Sequence, residues 1–337
     1  RGVLKKLAAT ASAFVFVAMV AAAAVYLDLV FYADKPVDAA VDERVVLVKR
    51  GQSFAGAVDM LQEQKIIRSP GRFRLLARIK GADTRIQAGE YLLKGSMTPN
   101  QILQILIDGK VRLYRFTVPE GSNLKQIAKI VSEAGFTTAE QFVQAATNPD
   151  LIRRLGLEAD SLEGYLFPDT YHFPRNATAE DITIAMVQHF QSLIPDAWRN
   201  RADELGLSMH EVVTLASIIE KETGTPEERP LISSVFHNRL KRGMRLQTDP
   251  TVIYGIEDFD GNLTRKHLNT HTPYNTYLIR GLPPGPIANP GLASIEAALF
   301  PEETKYLYFV SRKDSTHQFS TNLKDHNQAI RKYQLRR

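Results

Sequence analysis

One long apolar run opens the chain, followed by shorter stretches in which apolar residues recur at helix or strand spacing. Leu7 to Leu27 is 21 consecutive residues without a charge. At about 1.5 Å per residue such a helix is about 30 Å long, the thickness of a hydrocarbon core. Next, VVLVKRGQSFAGAVDMLQEQKII gives a β-branched run, a glycine turn, and Phe54, Ala57, Val58 and Leu61 at helical spacing. The same order returns 70 positions on, with Val48, Gly51, Phe54, Ala57 and Leu61 matched by Val118, Gly121, Leu124, Ile127 and Val131. Both copies predict a strand, a glycine turn, Ser or Asn near the helix start, and an amphipathic helix. Between them, Ala88 to Leu93 reads as a strand. Met97 to Gly109 reads as a helix, with Thr98 as N-cap, Pro99 at the first position and Gly109 closing it. Short helices and linker continue to about residue 160.

Leu162 to Phe173, LEGYLFPDTYHF, is too aromatic for a solvated loop and too broken for a helix. Aromatic faces beside carboxylates suit a sugar groove, because rings cover apolar C–H faces and acids accept hydroxyl hydrogen bonds. A loop plugging a hydrophobic core fits the same pattern. Glu163, Tyr165 and Asp169 are its candidate binding residues. Leu207 to Thr223 predicts a helix, opened by the capping box Ser208 to Glu211 and stopped by Gly224 and Pro226. Val212, Val213, Leu215, Ala216 and Ile219 form its apolar face, and Glu220 projects from that side. Burial and the negative end of the helix dipole both disfavour a charged Glu220, as a general acid requires. A partly exposed helix-end acid is the plainer reading of the same position. Glu222 reads as a solvated acid beside Lys221.

A second helix is predicted with Thr225 as N-cap, Pro226 first and Glu228 completing a capping box, its core stripe running through Leu231, Val235, Phe236 and Leu240. GMRLQTDPTVIYG reads as a strand broken at Asp249-Pro250. A long Pro/Gly-rich loop, TPYNTYLIRGLPPGPIANPG, follows, then a last strand pair with TNLKDHN. Loops of that length in compact domains are usually functional. Gln247, Asp249, Asn275 and Asn322 on these segments suit sugar hydroxyls.

Composition narrows the class. The 337 residues are 44% hydrophobic and 23% charged, which excludes a mostly disordered chain, and two or three domains are expected. There is no cysteine, so disulfides, thiolate catalysis and Cys-ligated zinc are excluded. A net charge of +5 is too small for a dedicated nucleic-acid binder. Around the apolar run, Arg1, Lys5 and Lys6 precede it, while Asp28, Asp34, Asp38, Asp42 and Glu43 follow. This bias predicts a single-pass anchor in the cytoplasmic (inner) membrane, N-terminus inside and the remainder outside, with Tyr26, Phe31 and Tyr32 at the outer interface. A cleaved signal peptide is the alternative, but its apolar region is usually 7–15 residues. The expected order is a tail (1–6), a transmembrane helix (7–27), a spacer (28–44), an α/β module (45–112), a second strand–helix unit and linker (113–160), and a helix-rich α+β catalytic domain (161–337).

The module 45–112 resembles LysM, whose Gly-[Asp/Gln]-Ser turn binds N-acetylglucosamine glycans; a plain α+β packing domain is the alternative. Over roughly 160–330 the chain resembles the YceG-like family in successive motifs: LEGYLFPDTY, ASIIEKETG, VFHNRLKRGMRLQTDPTVIYG, YNTY, GLPPGPIANPG, YLYFV and TNLKDHN. The resemblance implies a membrane-anchored lytic transglycosylase needing no cofactor, acting on peptidoglycan strands and associated with peptidoglycan synthases (penicillin-binding proteins). It makes Glu220, first glutamate of E-K-E-T, the catalytic residue, and brings Tyr254, Tyr274 and Tyr277 of its motifs among the substrate-binding candidates. Cleavage of the MurNAc–GlcNAc bond would proceed without water, the C6 hydroxyl of MurNAc closing on C1. One carboxyl group then suffices where ordinary glycosidases need two. A hydrolase would need a second carboxylate facing Glu220, for which Asp169 and Asp249 are the candidates. A non-catalytic glycan-binding scaffold for a synthase is the other alternative.

Two further patterns carry no function. Ser122-Asn123-Leu124-Lys125 is an S-x-x-K without its K-T-G and S-D-N partners, and lies at a repeated helix start. His267 and His271 have i, i+4 spacing but sit in a loop-like polar stretch without H-E-x-x-H, so no metal site is expected.

Overall fold

The computed structural model describes residues 2–37 and 42–335. Arg1, residues 38–41 of the expected spacer and the side chains of Lys5 and Lys6 lie outside this description. The fold is mixed α+β, rich in helix and poor in strand. The chain divides into two units, Arg1–Tyr114 with Phe173–Asn176, and Arg115–His172 with Ala177–Arg337.

The first unit contains α1 (Gly2–Asp34), β1 (Arg44–Val48), α2 (Phe54–Glu63), α3 (Pro70–Ile79), β2 (Gly89–Leu93) and α4 (Pro99–Asp108). Helix α1 is long and apolar enough over Ala9–Asp34 to cross a membrane. It does not stop at Leu27 but runs on to Asp34, so the first part of the expected spacer is helical. The added turns bury Leu29 and Ala33, and Val37 beyond them is buried in the same core as α2, α3 and α4. Strands β1 and β2 pair antiparallel, Val46 opposite Tyr91 and Val48 opposite Gly89, with Val46, Val48, Tyr91 and Leu93 turned inward. Helix α4 begins at the Thr98–Gln101 capping box with Pro99 in its first turn, and ends at Gly109 in the left-handed conformation. The expected strand and helix limits here agree with the structure to within two residues.

Strand β3 (Leu113–Thr117) pairs with β4 (Thr170–Pro174), and the division into units falls within these two strands. The second unit continues with α5 (Leu124–Glu133), α6 (Ala139–Ala146), α7 (Pro149–Arg154), α8 (Ala179–Leu193), α9 (Asp196–Leu205), α10 (Met209–Glu222), α11 (Arg229–Lys241), α12 (Asp249–Tyr254), α13 (Arg265–Asn269), α14 (Leu292–Leu299), the antiparallel pair β5 (Tyr308–Ser311) and β6 (His317–Ser320), and α15 (Leu323–Ile330).

Helix α10 is the axis of this unit. Every residue from Val212 to Ile219 is buried, including Thr214 and Ser217. Thr214 donates to the His210 carbonyl and Ser217 to the Thr214 carbonyl, so burial leaves no hydroxyl unpaired. Ser217 also accepts from Ile287 N at 3.0 Å, which pins the Pro/Gly-rich loop to the helix.

Three local expectations fail. GMRLQTDPTVIYG forms no strand: Gln247 lies at φ 50 and α12 starts at Asp249. Proline in the first turn favours a helix start over a broken strand. TNLKDHN is not strand but the start of α15, capped by Asn322. Residues Pro226–Glu228 form a 3-10 turn, and Glu228 bonds His317 N and Nδ1 instead of closing a capping box on Thr225.

Candidate active site

Both glutamates of E-K-E-T leave the last turn of α10 in the second unit, and their settings differ. The Glu220 side chain is 9% exposed. Its Oε2 accepts from Gly291 N at 3.1 Å and from the Ser294 hydroxyl at 2.7 Å, at the start of α14. Its Oε1 lies 3.7 Å from the Arg229 guanidinium, whose Nε donates to Ser294 Oγ at 3.1 Å. These long-range partners fix the position of the Glu220 carboxyl, and a reading from burial and the helix dipole alone had no access to them.

A second carboxylate shares this cluster. Glu120 Oε2 is 3.9 Å from Arg229, and a Cβ built on Gly291 would fall 1.9 Å from Glu120 Oε1. The carboxyl of Glu120 therefore lies over the same glycine whose N–H serves Glu220. At 52% side-chain exposure, Glu120 is the open half of the pair. Asp169 and Asp249, the candidates from sequence, bind elsewhere: Asp169 meets His189 at 2.8 Å, and Asp249 accepts from Tyr277 at 2.6 Å. Glu120 belongs to the turn of the second repeated unit, beside Gly121, and no periodicity singles it out. That turn is tied down by Gly121 N to the Asn289 carbonyl at 2.9 Å and Lys221 Nζ to the Gly121 carbonyl at 3.2 Å.

Glu222 is not the solvated acid expected beside Lys221. Its carboxyl accepts from the Thr248 hydroxyl, and burial, with Asp249 nearby, pushes its pKa up. It forms one wall of a cavity of about 570 Å³, with Arg239, Gln247, Asp249, Tyr277 and Tyr308 among the others. Arg239 itself is buried, donating to the carbonyls of Leu307 and Leu246 at 2.6 Å each. The cavity thus offers acids, a fixed cation and aromatic faces together.

The remaining sequence candidates are distributed as follows. Gln247, Asp249 and Tyr277 line that cavity. Glu163, Tyr165 and Asn275 are at most 3% exposed and bonded internally. Glu163 accepts from Leu124 N, the free N-terminus of α5, at 2.9 Å, from Asn289 Nδ2 at 2.8 Å and from Tyr254 at 3.2 Å. Burial raises its pKa from 4.5 to about 7. Tyr165 bonds His210 Nδ1 at 2.8 Å, and Tyr274 packs on Tyr254 with ring centroids 4.8 Å apart. Asn275 donates to the carbonyls of His267, Leu268 and Thr270 and fixes the loop after α13. Asn322 is occupied in capping α15. LEGYLFPDTY is accordingly a buried scaffold from Leu162 to Pro168, and only from Asp169 on does it reach the surface. In the first unit, the Gly51-Gln52-Ser53 turn uses its own side chains: Gln52 accepts from Lys49 N and Ser53 caps α2.

The end of α10 thus carries two settings, Glu220 in a cluster with Gly291, Ser294 and Arg229, and Glu222 on the wall of a polar, aromatic cavity. The chain belongs to the YceG-like family, whose family model matches residues 46–332. Among curated proteins, it is 36% identical over 302 residues to the endolytic murein transglycosylase of Bacillus subtilis, covering 85% of this chain and 83% of that protein. It is 29% identical over 329 residues to the endolytic murein transglycosylase of Streptococcus pneumoniae strain D39, spanning 88% of this chain and 59% of that longer protein. A crystal structure of a yceG-like protein from Listeria monocytogenes matches with a TM-score of 0.59 and 34% identity, over 85% of this chain and 98% of that one.

Proposed function

We propose that this protein is an endolytic murein transglycosylase, a lyase that cuts the glycan strands of peptidoglycan. The observation that carries the reading is Glu220 at the end of a buried helix, clamped by Gly291, Ser294 and Arg229, within a family match spanning most of the chain. Glu220 protonates the glycosidic oxygen between MurNAc and GlcNAc, and an oxocarbenium-like centre develops at C1. As carboxylate, it then takes the proton of the MurNAc C6 hydroxyl, whose oxygen closes on C1. The C1–O4 bond breaks, a C1–O6 bond forms, no water is consumed, and a 1,6-anhydro end results. The 570 Å³ cavity is of ligand size, and Gln247, Asp249 and Tyr277 hold the sugar there, with buried Arg239 behind them.

The products discriminate this from hydrolysis. Murein digested with the enzyme is expected to release fragments lighter by one water than their hydrolysed counterparts, by mass spectrometry. Reducing MurNAc ends would assign Glu120 to activating water opposite Glu220 and overturn the non-hydrolytic reading.

A second reading of the acid rests on Glu222, which lines the cavity and whose pKa is raised by burial. If Glu222 only shapes the sugar site, Glu222→Gln keeps its bond to Thr248 and is expected to raise KM several-fold while leaving kcat within about tenfold. A loss of kcat matching that of Glu220→Gln would make Glu222 the proton donor.

Helix α1 serves as a single-pass anchor in the cytoplasmic membrane with the enzyme outside, a placement supported by its apolar length and the charge bias flanking it. There it meets nascent strands and limits their length beside a peptidoglycan synthase. The strand, glycine turn and helix at Val48, Gly51 and Phe54 support a LysM-like glycan contact for residues 45–112.

A further inference from the structure

We propose that Glu120 is a second catalytic carboxylate of the same site, its negative charge offsetting the cationic centre that develops at C1 of the sugar. The inference rests on the Glu220 reading and deepens it, and all its residues belong to the second unit. One nitrogen, Arg229 Nη2, lies 3.9 Å from Glu120 Oε2 and 3.7 Å from Glu220 Oε1. Glu220 is nearly buried and Glu120 half exposed, so a sugar that reaches the first comes up against the second.

An exposed acid serves a site only if the backbone beneath it is held in place. The turn that carries Glu120 meets this condition. Ser122 Oγ donates to the Pro119 carbonyl at 2.7 Å, closing the turn on itself. Gly121, at φ 73, donates its N–H to the Asn289 carbonyl at 2.9 Å. Asn289, fully buried, returns its own N–H and its side-chain amide to the Ser122 carbonyl, each at 2.9 Å. The same turn packs on the acid, for a Cβ on Gly121 would lie 3.4 Å from Glu220 Cγ. Glu120 in its turn fills the space that a side chain at position 291 would need, since a Cβ there would fall 1.9 Å from its Oε1. Gly291 has φ −72 and ψ 165, which any residue adopts, so its missing side chain makes room for this carboxylate.

The chemistry calls for such a group. When Glu220 protonates the glycosidic oxygen, the C1–O4 bonding pair leaves with O4 and C1 is left short of electrons. Arg229, 3.7 Å from the proton donor, is a cation beside that centre. Lys221, bonded to the Gly121 carbonyl at 3.2 Å, adds a second. Both oppose a developing positive charge. Glu120 takes no proton; its carboxylate offsets Arg229 and stabilises C1 until the C6 oxygen closes on it. The substrate is neutral at that carbon before reaction, so this help acts on the transition state more than on binding.

The test uses the full chain in detergent with uncrosslinked glycan strands. Glu120→Gln keeps the size and reach of the side chain and removes its charge. It is expected to lower kcat by about 10²-fold with KM within about threefold, Tm unchanged and the products still 1,6-anhydro ends. Gly291→Ala keeps the N–H that serves Glu220 but drives Glu120 aside, so a similar fall in kcat is expected. In a Glu120→Ala background, where that space is empty, Gly291→Ala is expected to cost no more than about twofold further. A cationic iminosugar, with its protonated nitrogen at the anomeric position, gives a readout independent of turnover. Its Kd is expected to rise about tenfold in Glu120→Gln, while that of a neutral N-acetylglucosamine oligomer stays the same. Undiminished kcat in Glu120→Gln beside an active wild type would overturn the inference and leave Glu220 in its role. A rise in KM alone, or an equal loss of affinity for the neutral oligomer, would make Glu120 a sugar-holding group and overturn its electrostatic part. Reducing ends that disappear with Glu120→Gln would overturn it in favour of water activation. A wild type that releases no anhydro ends fails the Glu220 reading itself and takes the inference with it.

Discussion

Glu220→Gln is expected to reduce strand cleavage by about 10²–10⁴-fold, the range a positioned proton-transfer group supplies. The substitution is close to isosteric. Its amide oxygen can still accept from Gly291 N and Ser294 Oγ, the two bonds that orient the carboxylate. Lost are the transferable proton and the charge facing Arg229 at 3.7 Å. Substrate binding to the cavity walls is left intact, so the fall belongs in kcat and KM moves little. Thermal unfolding of the variant gives the control, because a mostly buried ion pair is also a structural contact. Undiminished release of anhydro ends by a folded Glu220→Gln protein would remove this residue from its assigned role. Loss in Glu222→Gln alone would transfer the role two residues along the helix.

The largest effect on stability is expected at Glu163. Glu163→Ala strands the Leu124 N–H and the Asn289 amide in the interior, at about 1–3 kcal/mol each, besides opening a cavity. A combined loss on the order of 3–5 kcal/mol corresponds to roughly 10 °C in Tm at about 2–4 °C per kcal/mol. Glu163→Gln is expected to restore most of it, accepting from Leu124 and Asn289 and donating to the Tyr254 oxygen. The pair also separates packing from charge. The folded pKa of Glu163, about 7, stands above the ordinary 4.5. Its stabilising contribution is therefore complete below 4.5 and is lost as pH rises through about 7. The span amounts to about 3 kcal/mol at 1.36 kcal/mol per unit. Subtracting the Glu163→Gln stability curve from that of the wild type should leave this fall; a flat difference would show that the folded pKa of Glu163 is not raised.

What could be read from the sequence was mostly what neighbours in sequence determine. Thr98, Pro99 and Gly109 bound α4 as expected, and Ser208 with Glu211 opens α10, because caps are bonds between residues three apart. Gly51 and Gly121, matched by the repeat, both adopt positive φ. The partners that give each acid its character are remote: Gly291 and Ser294 lie more than 70 positions beyond Glu220, and Asn289 lies 126 beyond Glu163. No spacing rule reaches so far. Glu163 attracted a sugar-binding role because its surroundings are aromatic, and the same aromatic density is what buries it. Asp249-Pro250 was a helix start hidden in a strand-like alternation, where the proline was the better guide.

Leu29, Ala33 and Val37 carry one more consequence. These side chains, supplied at and just beyond the end of the first helix, are 4–6% exposed within the core beneath α3 and α4. Trimming the polypeptide after Leu27 to obtain a water-soluble fragment leaves that interior whole, whereas trimming a few residues later uncaps it. The safe place to cut is therefore decided by the folded domain and lies on the hydrophobic side of the bilayer boundary, so a well-behaved fragment retains a greasy stub.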